Sequence, residues 1–340
     1  MRAVAPLLLA LLLACAPRAS TAEVTLARAV ARLPAPHHPD HVRVVVMGDQ
    51  GTGTSGQRQV AAAMGRVCHR DGCDLGVGLG DNFYPAGPKD VSSPLFRERF
   101  ADVYSPLKVP FAMVPGNHDE SWLNGGDGAD ARGAEVQVAY SAVNPQWVMP
   151  GRQYRAPVGP LLELFAVDTT PLATYAPGLR PEERPGGSWA RAQQAWLSGG
   201  LGTSRARWKL VLGHHPLFSN GKHGDAGSYD QLPLAFQRGG AVRDLYGAAC
   251  GKADLLLSGH DHALELFAPQ PECPGTWTAV SGAAGKAEGA RRGTRPAAFE
   301  VYGQLGFVWL DVTPAALTLR FYTVGADGRE TLAHTETLRK

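Results

Sequence analysis

The sequence lacks the features that mark several large classes of protein. Its one long apolar run lies in MRAVAPLLLALLLACAPRASTAE, at residues 1–23, and is shorter than the roughly 20 residues a membrane-spanning helix needs. Nothing later in the chain matches it, so no transmembrane segment is expected. Charge is nearly balanced, with 33 Lys and Arg against 31 Asp and Glu, so there is no one-signed field to hold nucleic acid or an anionic membrane. Cysteine is scarce, five in 340 residues with none at CxxC spacing, which argues against a thiolate metal site. There is no G-x-S-x-G elbow, so serine hydrolase chemistry has no support. The glycines around GTGTSGQRQV lack the Gly-Lys-Ser/Thr ending of a nucleotide P-loop. The acidic stretch SWLNGGDGADARG lacks the closing Glu of a calcium loop. No internal repeat at solenoid spacing occurs.

What is present reads as an exported enzyme. Residues 1–22 have one Arg, an apolar core and then small residues, the order of a signal peptide. Cleavage after STA gives a soluble secreted or periplasmic protein. Alternatively, LLAC serves as a bacterial lipobox and Cys15 carries a lipid anchor. Residues 23–40, with Pro34, Pro36 and Pro39, form a leader, and 41–340 a single domain. Setting Cys15 aside leaves Cys68, Cys73, Cys250 and Cys273. An even number in an exported chain points to two disulfides. Of the three connectivities, Cys68–Cys73 and Cys250–Cys273 close the shortest loops.

Apolar, β-branched runs alternate with helical patterns, which predicts an α/β fold. HVRVVVMGDQG, CDLGVGLGDNFY, VPFAMVPGNHD, LLELFAVDTT, RWKLVLGHHP and ADLLLSGHDHALE each read as a buried strand running into polar residues. SGQRQVAAAMGRVC, SPLFRERFADVY and SWARAQQAWLSGGL read as helices. The tail, GFVWLDVTPAALTLRFYTV, reads as an antiparallel strand pair. Residues 119–153 read as a long Gly-rich loop, either a lid or an insertion. Ligands of open α/β sheets bind outside the carboxyl ends of the strands. Those ends here deliver Asp49, Asp81, Asn117, His118, His214, His215, His260 and His262. Taken singly each has a plain alternative: Asp49 as a cap of the next helix, Asn117 as a turn residue, one of His214 and His215 as structural, Asp261 as an orienting group. Together, mixed Asp, Asn and His donors suit Zn, Mn or Fe. Asp168, at the end of a central strand, reads as structural.

GDQG (48–51), GDNFY (80–84), GNHD (116–119), VLGH (211–214) and GHDH (259–262), in this order, resemble the five blocks of the calcineurin-like metallophosphoesterases. The GDxxY form of the second block resembles the purple acid phosphatases, and the short chain is similar to their small tartrate-resistant type. The resemblance implies a four-layer α/β/β/α sandwich of two mixed sheets flanked by helices. It implies two metals bridged by Asp81. Asp49, Tyr84 and His262 would complete the first site, and Asn117, His214 and His260 the second. Tyr84 would be a phenolate ligand to Fe(III), beside a second divalent metal, Fe, Zn or Mn. The implied activity is hydrolysis of phosphomonoesters by a metal-activated water, best at acidic pH. His118 is then the candidate acid, with Asp119 either its orienting partner or a solvated carboxylate. His223 would line the substrate pocket, with Lys222, Arg291 or Arg292 as further phosphate contacts. His215 departs from the small mammalian type, where an aromatic residue usually stands. Substrates would be small phosphate esters or phosphoproteins. The rival readings are a phosphodiesterase or phosphoprotein phosphatase of the same fold, and an iron-binding redox protein without hydrolysis.

Overall fold

A computed structural model describes residues 29–174, 180–232, 234–289 and 291–340. The expected signal peptide, Cys15 and the first part of the leader lie outside the described residues. The strands are β1 (Val42–Met47), β2 (Leu75–Leu79), β3 (Phe111–Val114), β4 (Trp147–Val148), β5 (Tyr154–Val158), β6 (Leu162–Ala166), β7 (Trp208–Leu212), β8 (Leu255–Ser258), β9 (Leu264–Phe267), β10 (Trp277–Ser281), β11 (Phe299–Val301), β12 (Leu305–Val312), β13 (Ala316–Val324) and β14 (Glu330–Arg339). They form two mixed seven-stranded sheets, ordered β14-β13-β12-β1-β2-β3-β4 and β11-β9-β10-β8-β7-β6-β5. In the first, β1 to β4 are parallel and β12 to β14 antiparallel. In the second, β6, β7, β8 and β10 are parallel.

Side-chain alternation explains the layering. Leu164, Leu210, Leu212, Leu255, Leu257 and Leu266 join the large core shared with the first sheet. Their neighbours Phe165, Val211, Leu256 and Phe267 turn the other way and pack with Trp189, Leu197, Leu201, Val242 and Leu245, which belong to helices Ser188–Thr203 and Gly240–Gly247. A period of two puts successive residues on opposite faces, so each central strand is buried twice. Helix Ser55–Asp71 covers the first sheet with Val60, Ala63, Met64 and Val67. The result is the expected four-layer α/β/β/α sandwich. β2 must be narrow: a Cβ on Gly76 would lie 2.2 Å from the Phe111 ring. No helix among the described residues is long and apolar enough to cross a membrane.

Several local expectations change. SPLFRERFADVY is helical, but its middle, Arg97–Ala101, is a π turn between two short α segments. Segment 119–153 is not a plain loop, since it contains helix Arg132–Tyr140 and edge strand β4. The tail pair gains a third strand, β14, whose polar, largely exposed sequence hid its period. Residues 29–31 pair with Arg155 of β5, and His37 binds Asp74 through both its backbone N–H and its ring. The disulfides are Cys68–Cys73 and Cys250–Cys273, the connectivity that closes the shortest loops.

Candidate metal centre

The carboxyl ends of β1, β2, β3, β7 and β8 meet at one edge of the sandwich. Short backbone bonds knit the loops that leave them: Asp49 N–H to Gly80 O, Tyr84 N–H to Gly51 O, Gly259 N–H to His214 O. There is no room for side chains between them, and a Cβ on Gly116 would stand 2.3 Å from the Asp81 nitrogen. Three of the residues that turn inward, Asp49, Asp81 and His260, have left-handed backbone with φ of 58°, 52° and 69°. Such conformations are costly for non-glycine residues and persist where the surroundings enforce them. Asp49 does not cap the following helix; Thr54 does, accepting from Gln57 N–H.

The seven candidate ligands converge. Tyr84 Oη lies 2.8 Å from Asp81 Oδ2, 3.0 Å from Asp49 Oδ1 and 3.3 Å from His262 Nε2. His214 Nε2 lies 2.9 Å from Asn117 Oδ1, 3.2 Å from His260 Nδ1 and 3.4 Å from Asp81 Oδ1. Ligand atoms of Asp49, Asp81 and His214 all fall within 4.8 Å of one another. Both carboxylates are buried, at 0% and 2% exposed. Burial pushes the Tyr84 phenol well up, and Asp49 and Asp81 add to it. Burial likewise pushes His260 well down. Asp49 is held below its usual value, because hydrogen bonding to His262 and the nearby imidazoles outweigh the effect of burial.

The hydrogen bonds test whether a cation fits. His214 Nδ1 faces the Leu79 carbonyl at 2.8 Å, so in the neutral imidazole that nitrogen carries the proton and Nε2 presents a lone pair. Asn117 Nδ2 donates to Gly126 O, which leaves Oδ1 facing His214. In that form two acceptors oppose each other at 2.9 Å. His262 is set in the same way: its Nδ1 faces Glu288 Oε1 at 3.1 Å, and its Nε2, a lone pair in the neutral ring, faces Tyr84 Oη and Asp49 Oδ1. Tyr84 has one proton for two carboxylates and, with His262 neutral, for its Nε2 as well. Buried acceptors without donors are costly, and a cation among them removes the conflict. An outer N–H held by a carbonyl or carboxylate is also the usual support of a metal-binding histidine. The donor set fits metal ions in both halves of the cluster.

A cavity of about 430 Å³ opens onto the cluster, lined in part by Asp81, Asn117, His118, His223, His260 and His262. His118 holds Pro85 O with Nδ1 at 2.8 Å, and its ring lies 4.4 Å from that of Tyr84. His223 is anchored by its backbone N–H to Asp261 and by its ring to Asp230, 2.8 Å each. Its pKa is raised: burial lowers it, and Asp230 and Asp261 more than compensate. Asp261 thus orients a neighbour, as expected. Asp119 does not orient His118. Its carboxylate takes the N–H groups of Asn82, Phe83 and Gly116 and the Asn82 side chain, so it ties the Tyr84 loop to the Asn117 loop. His215 also lines the cavity, its Nδ1 2.9 Å from Thr169 Oγ1. Arg291 pairs with Glu300 and Arg292 with the Lys222 carbonyl, so neither faces the cluster. Asp168 binds Arg152 in a buried network. Lys286, Glu288 and Asp230 line the cavity without having been singled out in the sequence. The apolar run TWTAVSG before Lys286 has the same strand-into-glycine form as the other blocks and was the available signal.

With this geometry in view, comparison with known proteins is informative. Residues 42–264 match the family described as calcineurin-like phosphoesterase. Purple acid phosphatase 4 of Arabidopsis thaliana is 29% identical over 305 residues, covering 86% of this chain and 83% of its own. Purple acid phosphatase 3 of the same plant is 30% identical, covering 83% and 75%. Human tartrate-resistant acid phosphatase type 5 is 30% identical over 200 residues, covering 54% and 58%. Among solved structures, purple acid phosphatase PPD1 of yellow lupin superposes with a TM-score of 0.63 at 19% identity, over 90% of this chain and 55% of that one. Plasmodium GAP50, described as the anchor in the inner membrane complex, gives 0.65 at 19% identity over 88% and 89%; both structures attest the shared fold. The chain belongs to the calcineurin-like phosphoesterases and, among them, to the purple acid phosphatase family.

Proposed function

We propose that this protein is an exported acid phosphatase that hydrolyses phosphomonoesters at a two-metal centre. The observation that carries the reading is the convergence of acceptors at the cluster with the imidazoles neutral, His214 Nε2 against Asn117 Oδ1, and two carboxylates and His262 Nε2 around the Tyr84 hydroxyl. Asp49, Tyr84 and His262 would hold one ion, Asn117, His214 and His260 the other, and Asp81 lies between the two sets. The hard phenolate oxygen suits Fe(III), and the nitrogen-richer set suits Fe, Zn or Mn. When bound, such a pair polarises a phosphate, activates water and stabilises both oxygens of an in-line displacement.

The remaining residues supply position and protons. The phenol stays protonated between two carboxylates in the protein alone, and a bound cation reverses that local field. His118 is fixed by Pro85 O and by contact with the Tyr84 ring, tilted 52° to it, which leaves Nε2 to give a proton to the departing alcohol. His223, its ring set by Asp230 and its backbone by Asp261, contributes a second proton-bearing nitrogen at the cavity wall. The two disulfides suit an oxidising compartment, in keeping with residues 1–22 as an export signal.

The test is turnover of p-nitrophenyl phosphate, bis-p-nitrophenyl phosphate and a phosphopeptide at pH 5, with metals counted by elemental analysis. Two metals per chain and a clear preference for the monoester are expected, with metal and activity both lost in Asp81→Ala. A metal-loaded protein that prefers the diester, or hydrolyses none of the three, overturns the assignment.

A further inference from the structure

Two lysines reach into the cavity above the cluster, and their surroundings differ. Lys222 Nζ lies 3.4 Å from Glu288 Oε1, so its charge is compensated. Lys286 has no ion-pair partner among the described residues. Its Nζ sits 3.5 Å from the centroid of the Tyr84 ring, in the half-buried wall of the cavity. The segment that carries it is pinned on both sides. Ala284 N–H donates to Gly48 O and Glu288 N–H to His262 O, while Gly303 N–H holds Glu288 O. Gly285 packs on the carbonyls of Asp49 and Gln50, where a Cβ would come within 2.7 Å. The backbone of Lys286 is therefore stapled between the loops of two candidate ligands, and the ammonium is aimed over the Tyr84 end of the centre.

We propose that Lys286 is a substrate-binding residue whose ammonium contacts a non-bridging oxygen of the phosphate group at the Tyr84 side of the cavity. The inference rests on the phosphoesterase reading above. Lys286 brings a cation with no direct ion pair among the described residues, held by a ring face and by a fixed backbone. A phosphate ester brings an anion that such a cation can contact directly. Charge-assisted hydrogen bonds of this kind are among the stronger polar contacts.

The experiment measures binding of inorganic phosphate by calorimetry to the metal-loaded wild type, Lys286→Met and Lys286→Arg. Metal content is counted in each, and KM and kcat are measured for p-nitrophenyl phosphate. In Lys286→Met the phosphate Kd and the KM should both rise about tenfold, the scale of a hydrogen bond to a charged group. The metal content should be unchanged, kcat should change less than KM, and Lys286→Arg should recover most of the affinity. Unaltered phosphate affinity in Lys286→Met overturns the proposal, and so does loss of metal from that variant, which would make Lys286 a structural staple on Tyr84. A metal-loaded wild type that binds no phosphate sinks the phosphoesterase reading itself, and the role of Lys286 with it.

Discussion

Asp119 separates two accounts of the centre. As an orienting partner of His118, its removal would cost turnover and little stability. The structure instead gives it four hydrogen bonds between 2.8 and 3.1 Å, three of them from the backbone of Asn82, Phe83 and Gly116. Asp119 is 1% exposed, so Asp119→Ala strands three buried N–H groups. At about 1–3 kcal/mol for each unsatisfied group, with some recovered by water entering the space, the loss should be roughly 3–5 kcal/mol. That is a large share of the about 5–15 kcal/mol typical of a folded protein. The assay is denaturant unfolding of the metal-free protein, so that metal affinity does not enter the midpoint. A metal-free Asp119→Ala with the wild-type midpoint would refute the reasoning, because the carboxylate would then not be holding the two loops together.

Tyr84→Phe should keep the fold and abolish any visible absorption band of the iron-loaded protein; a band that survives would exclude the phenolate as its source. Glu265 is buried and bound by Ser219, Asn220 and Tyr302, and burial, then Asp261, raises its pKa from 4.5 to about 7. The folded state therefore holds this proton more tightly than the unfolded chain. Stability from Glu265 is fully present below pH 4.5 and falls as pH rises to about 7, by roughly 3 kcal/mol. Thermal unfolding of wild type against Glu265→Gln across this range should show the wild type losing ground as pH rises, and parallel curves would refute it. Cys250–Cys273 spans 23 residues and Cys68–Cys73 only 5. Replacing the first pair by Ser should cost about 3 kcal/mol and the second about 2 kcal/mol by loop entropy, an order that unfolding of the two double variants will check.

Much of the site could be read from the chain because its candidate ligands follow strands. Asp49, Asp81, Asn117, His214 and His260 each come directly after an apolar run, and a parallel sheet delivers such positions to one edge. Lys286 and Glu288 were not legible in the same way. They lie beyond β10, and only the backbone bonds to Gly48 and His262 bring them to the cavity. The role of Asp119 is not legible in sequence, because its neighbour there is His118 whereas its partners Asn82 and Phe83 are 37 and 36 residues away. β14 was missed because an edge strand facing solvent needs no apolar period.

By itself the sequence determined the α/β class, the ordered polar strand ends and a cysteine spacing that allows two short loops to close, since periodicity and turn residues act over a few neighbours. Only the tertiary structure decided which lone pairs oppose each other. The conflict between His214 and Asn117 arises from Leu79 O and Gly126 O, groups that fix a tautomer and an amide orientation from elsewhere in the chain. The direction of a proton depends on where the chain's other segments place their carbonyls, and no local pattern encodes that.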